Sequence, residues 1–166
     1  MTNSAFVLVE VYGLSPREYG ALFAAVMLGQ IAGAWFTGRV VMRLGIAGML
    51  RLGTRLACAA GLLALALAWG GAGHWAAVVL PFMLYMFAAS CIMPNATAAA
   101  LSPFAQNTGT VSSLLGATQF LLGATVSIVL GGLYDGTARP MATALAIGGV
   151  GAMLAERLLV RRRPVP

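Results

Sequence analysis

From Leu56 to Tyr134 the chain runs for 79 residues without one Asp, Glu, Lys or Arg. A soluble domain of 166 residues keeps a large wetted surface that must be polar, whereas this chain is 60% hydrophobic and 8% charged. Lipid is the solvent that such a composition suits. A helix needs about 20 apolar residues to cross a hydrocarbon core of about 30 Å. The apolar pattern therefore predicts an all-α membrane protein with five transmembrane helices, at about 19–38, 52–70, 75–95, 110–133 and 141–160. A transmembrane β-barrel would need alternating segments of about 10 residues, and runs such as LLALALAW and FMLYMFAA do not alternate. Residues 1–16 read as the tail of a preceding helix, because their apolar stretch is short, is interrupted by Glu10 and follows no basic segment of the kind a signal peptide carries.

All ten basic residues are Arg, and they sit at the ends of the apolar spans, so the net charge of +6 reads as an orientation signal and not as a nucleic-acid surface. Arg39, Arg43, Arg51 and Arg55 lie between the first two spans, and Arg157, Arg161, Arg162 and Arg163 follow the last. The other side holds only Arg17 and Arg139. The positive-inside rule then places the first loop and the C-terminus in the cytoplasm and the N-terminus outside. The segment from Ala96 to Gly109, expected on the cytoplasmic side, carries no charge and does not bear on the assignment.

Polar groups inside a membrane usually face a protein interior or an aqueous cavity. The fourth span sets Ser112, Gly116, Gln119, Gly123 and Ser127 on one face, and the first carries Gly29, Gln30, Gly33 and Thr37. The third brings Ser90, Pro94 and Asn95 towards its end. The second and fifth, LACAAGLLALALAW and ATALAIGGVGAML, offer no strongly polar group. The simplest arrangement has the first, third and fourth spans lining a shared interior, with the second and fifth against lipid. Gly29, Gly33, Gly116 and Gly123 read as close-packing positions. Gln119 is either interhelical glue or a ligand contact, and the Pro94 and Asn95 pair suits a hinge, a kink or a cavity wall.

Catalytic apparatus is not evident: the spans hold no Ser, His and Asp set and no pair of carboxylates, so the chain reads as a non-enzyme. GGVGAMLAE mimics a dinucleotide fingerprint but follows no strand. Cys58, Cys91 and His74 fit neither a disulfide nor a metal site, so the two cysteines read as buried thiols and no metal or other cofactor is expected.

GRVVMRLG sets Gly38, Arg43 and Gly45 at the spacing of the short basic cytoplasmic loop, G-x-x-x-D-R-x-G, of major facilitator transporters, with Met42 in the place of the acid. AFVLVEVYGLSPREYGALFA, PNATAAALSPFAQNTGTVSSLLGATQFLLGA and DGTARPMA add to it. Together these stretches closely resemble the C-terminal half of the Bcr/CflA drug-efflux transporters of the major facilitator superfamily, over residues 1–166. The resemblance implies that the five spans are family helices eight to twelve and that Phe6 to Val11 end helix seven. It further implies proton-driven export of small hydrophobic or cationic compounds across the bacterial inner membrane, with Gln30, Asn95 and Gln119 on or near the cavity wall. The family's first half, its glycine-rich antiporter signature and its first-helix acid have no counterpart here. No carboxylate lies deep within a span, since Glu10, Glu18, Asp135 and Glu156 all fall near ends. The expected partners are the bilayer, the exported compounds and an N-terminal half, with no nucleic acid. The competing expectation is a nonfunctional remnant or a membrane scaffold subunit without its own transport cycle.

Overall fold

The computed structural model describes residues 15–71, 75–104, 106–133 and 135–159. They form α1 (Pro16–Trp69), α2 (Ala76–Leu101), a 3-10 turn (Ser102–Phe104), α3 (Thr108–Gly132) and α4 (Arg139–Leu159), with no strand among the described residues. Each of the four helices is long and apolar enough to cross a membrane. The expected stub at 1–16, His74 and Arg161 to Arg163 lie wholly or almost wholly outside the described residues.

α1 opens three residues before the expected start because Ser15-Pro16-Arg17-Glu18 is a capping box. The Glu18 amide donates to Ser15 Oγ at 3.3 Å and the Ser15 amide donates to Glu18 Oε2 at 2.8 Å. Each partner thus satisfies a backbone donor that a helix start leaves bare, and Pro16 occupies the first-turn position where its missing N–H costs nothing.

A straight helix of the 54 residues in α1 would be about 80 Å long, more than twice a hydrocarbon core. It is broken at Gly45, whose φ of 67° and ψ of 171° are not helical. That combination is costly for any residue with a Cβ. The packing shows that the chain reverses there. A Cβ at Gly33 would touch Phe87 and Ser90, and one at Gly53 would touch Ala88, Cys91 and Ile92. Gly33 and Gly53 would stand about 30 Å apart on a straight helix, yet both meet the same stretch of α2. α1 is therefore a helical hairpin, with an N-terminal arm (16–44) and a C-terminal arm (46–69).

Two sequence expectations change here. Residues 39–44, expected in a loop, are helical, and Gly38, expected to end the first helix, lies inside it with open space around its Cβ position. RVVMRL contains no proline or glycine to stop a helix, so the helix continues until Gly45, where φ turns positive.

The N-terminal arm buries Val26, Gly29, Gly33 and Thr37, spaced three and four apart, against α2. Pro94 in α2 has no N–H to give to the carbonyl of Ser90, one turn back. Thr37 supplies the missing donor from the neighbouring helix, its Oγ1 donating to Ser90 O at 3.3 Å. Ser90 answers with its own hydroxyl, which donates to Gln30 O at 3.0 Å. The carbonyl opened by Pro94 is thus closed by Thr37 and not by Asn95. Thr37→Val keeps the shape and removes the donor, and is expected to cost about 1–2 kcal/mol. The loss should show as a lower melting temperature in detergent, and Thr37→Ser should recover most of it.

The C-terminal arm is the centre of the described bundle, packed against α2 on one side and α4 on another. Its buried residues include Met49, Ala57, Ala60 and Ala64. Gly61 faces the backbone of Leu145 and Ala146, and Gly149 faces the backbone of Ala57 and Cys58. The second and fifth spans, expected outside against lipid, pack on each other. Small residues let two backbones approach closely without any polar group to announce it. Just before α4 the Asp135 carboxylate accepts from the Thr137 amide at 3.0 Å and from its hydroxyl at 2.6 Å, and the Arg139 amide donates to Thr137 Oγ1 at 3.2 Å. The Thr137 hydroxyl, first among several contacts, holds the Asp135 carboxyl below the usual carboxylate range. DGTARP is thereby a start signal for α4.

Candidate functional site

The three expected cavity residues occupy three different settings. Gln30, on the N-terminal arm, has an exposed side chain and uses its backbone carbonyl to hold Ser90. Asn95 is 4% exposed, and its Nδ2 donates to the carbonyl of Cys91 at 2.8 Å, one turn back on its own helix. Gln119 stands exposed on α3. Gln30 meets α2 at Ser90 through its backbone and Asn95 lies in α2 one turn beyond Cys91, whereas Gln119 is not brought to either among the described residues. The interior expected between the first, third and fourth spans is not closed, because α3 stands apart from the hairpin.

None of the residues of α3 is buried, and all but Val111, Leu115, Gly116 and Leu130 are exposed. A Cβ at Gly116 or Gly123 would meet nothing within 4 Å, whereas Gly29 and Gly33 lie against Met83, Phe87 and Ser90. Gly116 and Gly123 thus pack on no described helix. Large apolar groups, Phe120 at 83% exposure and Ile128 at 75%, cover the surface of α3. Its hydroxyls mostly turn back onto their own helix: Ser112 donates to Gly109 O, Ser113 to Thr110 O, Thr118 to Leu114 O and Thr125 to Leu121 O, all at 2.8–3.0 Å. A helix that satisfies its hydroxyls in this way can face hydrocarbon at little cost. The Gln119 amide is different, since it makes no hydrogen bond among the described residues. In lipid an unpaired amide costs several kcal/mol, on the order of 4 to 8 in a solvent that cannot bond it.

At the other end of the hairpin, Arg39 lies 3.6 Å over the ring of Trp35, and Arg51 Nε is 3.4 Å from Glu156 Oε1. Arg139 sits 5.2 Å from the ring of Trp69. The expected loop motif is split by this geometry: Gly45 makes the turn, Arg43 is an exposed helical residue and Gly38 is a helical glycine. No group of three or more His, Cys, Asp or Glu that could hold a metal ion occurs among the described residues, and Cys58 and Cys91 are free and buried.

Over 162 residues the chain is 25% identical to the bicyclomycin resistance protein homolog of Haemophilus influenzae, a match that covers 98% of this chain and 40% of that protein. It is 27% identical over 165 residues to the uncharacterized MFS-type transporter YdgK of Bacillus subtilis, again 98% of this chain and 40% of the relative. The chain is a relative of the major facilitator transporters. Multidrug resistance protein D of Escherichia coli is a further relative, 32% identical over 117 residues, which are 70% of this chain and 29% of that protein. The chain spans about two fifths of the length of the first two relatives. No family model matches the chain, and no solved structure does. As a major facilitator relative with several long apolar helices, it is a multi-pass membrane protein.

Helical spacing put Gly29, Gly33 and Thr37 on one face of the first span, and the structure sets that face against α2. The same reasoning missed Gly53, Gly61 and Gly149, which hold helices at close distance, because nothing in their local sequence marks what stands opposite them. The pairing of Arg51 with Glu156 was equally hidden, since 105 positions separate the two.

Proposed function

We propose that this chain is the second half of a proton-driven multidrug exporter of the Bcr/CflA kind, crossing the bacterial inner membrane five times. The observation that carries the reading is the match of 98% of the chain to two fifths of a resistance protein homolog and of an MFS-type transporter. The fivefold crossing is supported by the reversal at Gly45, which turns α1 into two arms of membrane-spanning length. The unpaired Gln119 amide on a helix that otherwise suits lipid supports α3 as one wall of an aqueous path. Gln30, Asn95 and Gln119 are the residues we assign to the cavity wall. Small hydrophobic or cationic compounds are the proposed cargo, and an N-terminal half is the proposed partner that closes the path.

The transport reading is tested in energised, pump-deficient bacteria that produce this chain together with an N-terminal half. A lipophilic cationic dye is expected to accumulate less than in control cells, and a protonophore should abolish the difference. Equal accumulation, with the protein shown to be inserted, contradicts export and leaves a scaffold subunit or a remnant.

We further place the Gly45 turn and the C-terminus in the cytoplasm and the N-terminus outside, on the count of arginines at the two sides. Replacing Arg39, Arg43 and Arg55 by Glu is expected to invert or scramble a reporter fused after Leu159. An unchanged reporter pattern would show that orientation does not rest on this cluster.

A further inference from the structure

Glu156 is the one acidic residue at the Gly45 end of the described bundle, since Glu18 and Asp135 both lie at the other end. It belongs to the last turn of α4, where a carboxylate could easily face water. Its side chain is instead 10% exposed, and it lies against the C-terminal arm of α1, where Arg51 Nε is 3.4 Å from Oε1. That oxygen makes no hydrogen bond among the described residues. A carboxylate loses most of its hydration at such a depth, and the loss is tolerated only if a cation stands against it. Charged groups near it on the C-terminal arm are Arg51 and Arg55, and its own helix adds Arg157. α2 contributes no charged residue, and Arg39 and Arg43 belong to the N-terminal arm. Of these arginines Arg51 is the ion partner, with its own side chain half exposed.

We propose that Arg51 and Glu156 form a charge clasp that fastens the Gly45 end of the central arm to the last turn of α4. The clasp complements the small-residue contact of Gly61 and Gly149, which holds the middle of the same two helices but leaves this end to side chains. Arg51 is in consequence committed to helix docking, unlike Arg55, which lies one turn further along the same arm, is exposed and carries the same charge. The distinction is local to this chain: both partners lie in it, so the clasp does not depend on the proposed N-terminal half or on transport.

The test is hydrogen–deuterium exchange of the full chain in lipid nanodiscs, read on peptides covering residues 150–159. Glu156→Gln, which keeps the shape of the side chain and removes the charge, and Arg51→Gln should each speed exchange there severalfold. Arg55→Gln, which removes the same charge from the same arm, should leave it unchanged. The double variant Arg51→Gln/Glu156→Gln should exchange no faster than the faster single variant, and the swap Arg51→Glu/Glu156→Arg should move the rate back towards that of the native chain. Equal behaviour of Arg51→Gln and Arg55→Gln, or additive effects in the double variant, would overturn the proposal. Should Arg51→Gln fail to insert, the swap and Glu156→Gln still decide it, because Glu156→Gln leaves Arg51 in place and the swap keeps a pair of opposite charges.

Discussion

Gly61→Leu is expected to unseat α4 from the central arm and to produce one of the largest losses of stability in the chain. The Cβ alone would stand 2.5 Å from the carbonyl oxygen of Leu145 and 2.8 Å from the Cα of Ala146. These are backbone atoms of another helix, so no rotamer change can make room. The helices must separate, and every contact of the Ala57, Ala60 and Ala64 face with α4 weakens with them. Overpacking of this kind costs about 1–3 kcal/mol, and here the upper end is expected, which lowers a melting temperature by roughly 5–10 °C for a chain of this length. Gly149→Leu attacks the same crossing from the other helix and should behave alike, since its Cβ would meet the carbonyl of Ala57 at 2.5 Å. Gly151→Leu is the control: it lies on the same helix as Gly149, exposed and with nothing within 4 Å. Thermal unfolding in detergent, followed by circular dichroism, should separate the first two variants from the third. Three equal curves would mean that α4 does not dock where the structure puts it.

Gly45→Ala and Gly38→Ala should have opposite effects, although both glycines belong to one sequence motif. Gly45 holds a φ of 67° with ψ at 171°, a region that residues with a Cβ enter only at about 1–3 kcal/mol. A Cβ there strains the one residue that reverses α1, and the strain is relieved by opening the hairpin, which draws one arm away from α2. Gly38 is helical with open space around it, so Ala gains about 0.5–1 kcal/mol through reduced chain entropy. Melting temperatures should therefore fall for Gly45→Ala and hold or rise for Gly38→Ala. A fall for Gly38→Ala with no change at Gly45 would place the reversal at the wrong glycine.

The helical membrane class was legible in the sequence because 79 residues without a formal charge leave no other solvent. Apolar length placed the helices approximately, and helical spacing put Gly29, Gly33 and Thr37 on one face, but that this face meets α2 came only from the structure. Helix ends were less legible. Ser15 and Glu18 form a capping box in plain sight, but the apolar count that set the boundary gives weight only to hydrophobic residues. Residues 39–44 looked like a loop because Arg39 and Arg43 are charged, although charge at a membrane surface is compatible with helix. The neighbours of each helix were the least legible part. Polarity marked α3 as facing an interior, and the described residues give it none. The Ala and Gly faces of the central arm and α4 carry no polar mark, yet they meet most closely. Close approach of small residues depends on what stands opposite, and a single sequence does not record that. Of the candidate site, the residue types at Gln30, Asn95 and Gln119 could be read from the chain, but not that Asn95 would satisfy its amide on Cys91 while the Gln30 and Gln119 side chains stand exposed.

The most direct test of the account is thiol reactivity on α3 in native membranes. Single cysteines replace Gln119 and Leu121, which lie nearly opposite one another around the helix, in a chain whose Cys58 and Cys91 are changed to Ala. A membrane-impermeant, hydrophilic maleimide should label Gln119→Cys quickly and Leu121→Cys hardly at all, because the proposed function sets the first on an aqueous path and the second against lipid or protein. An inert cysteine at 119, or equal labelling at both positions, would contradict the placement of α3 on a transport pathway.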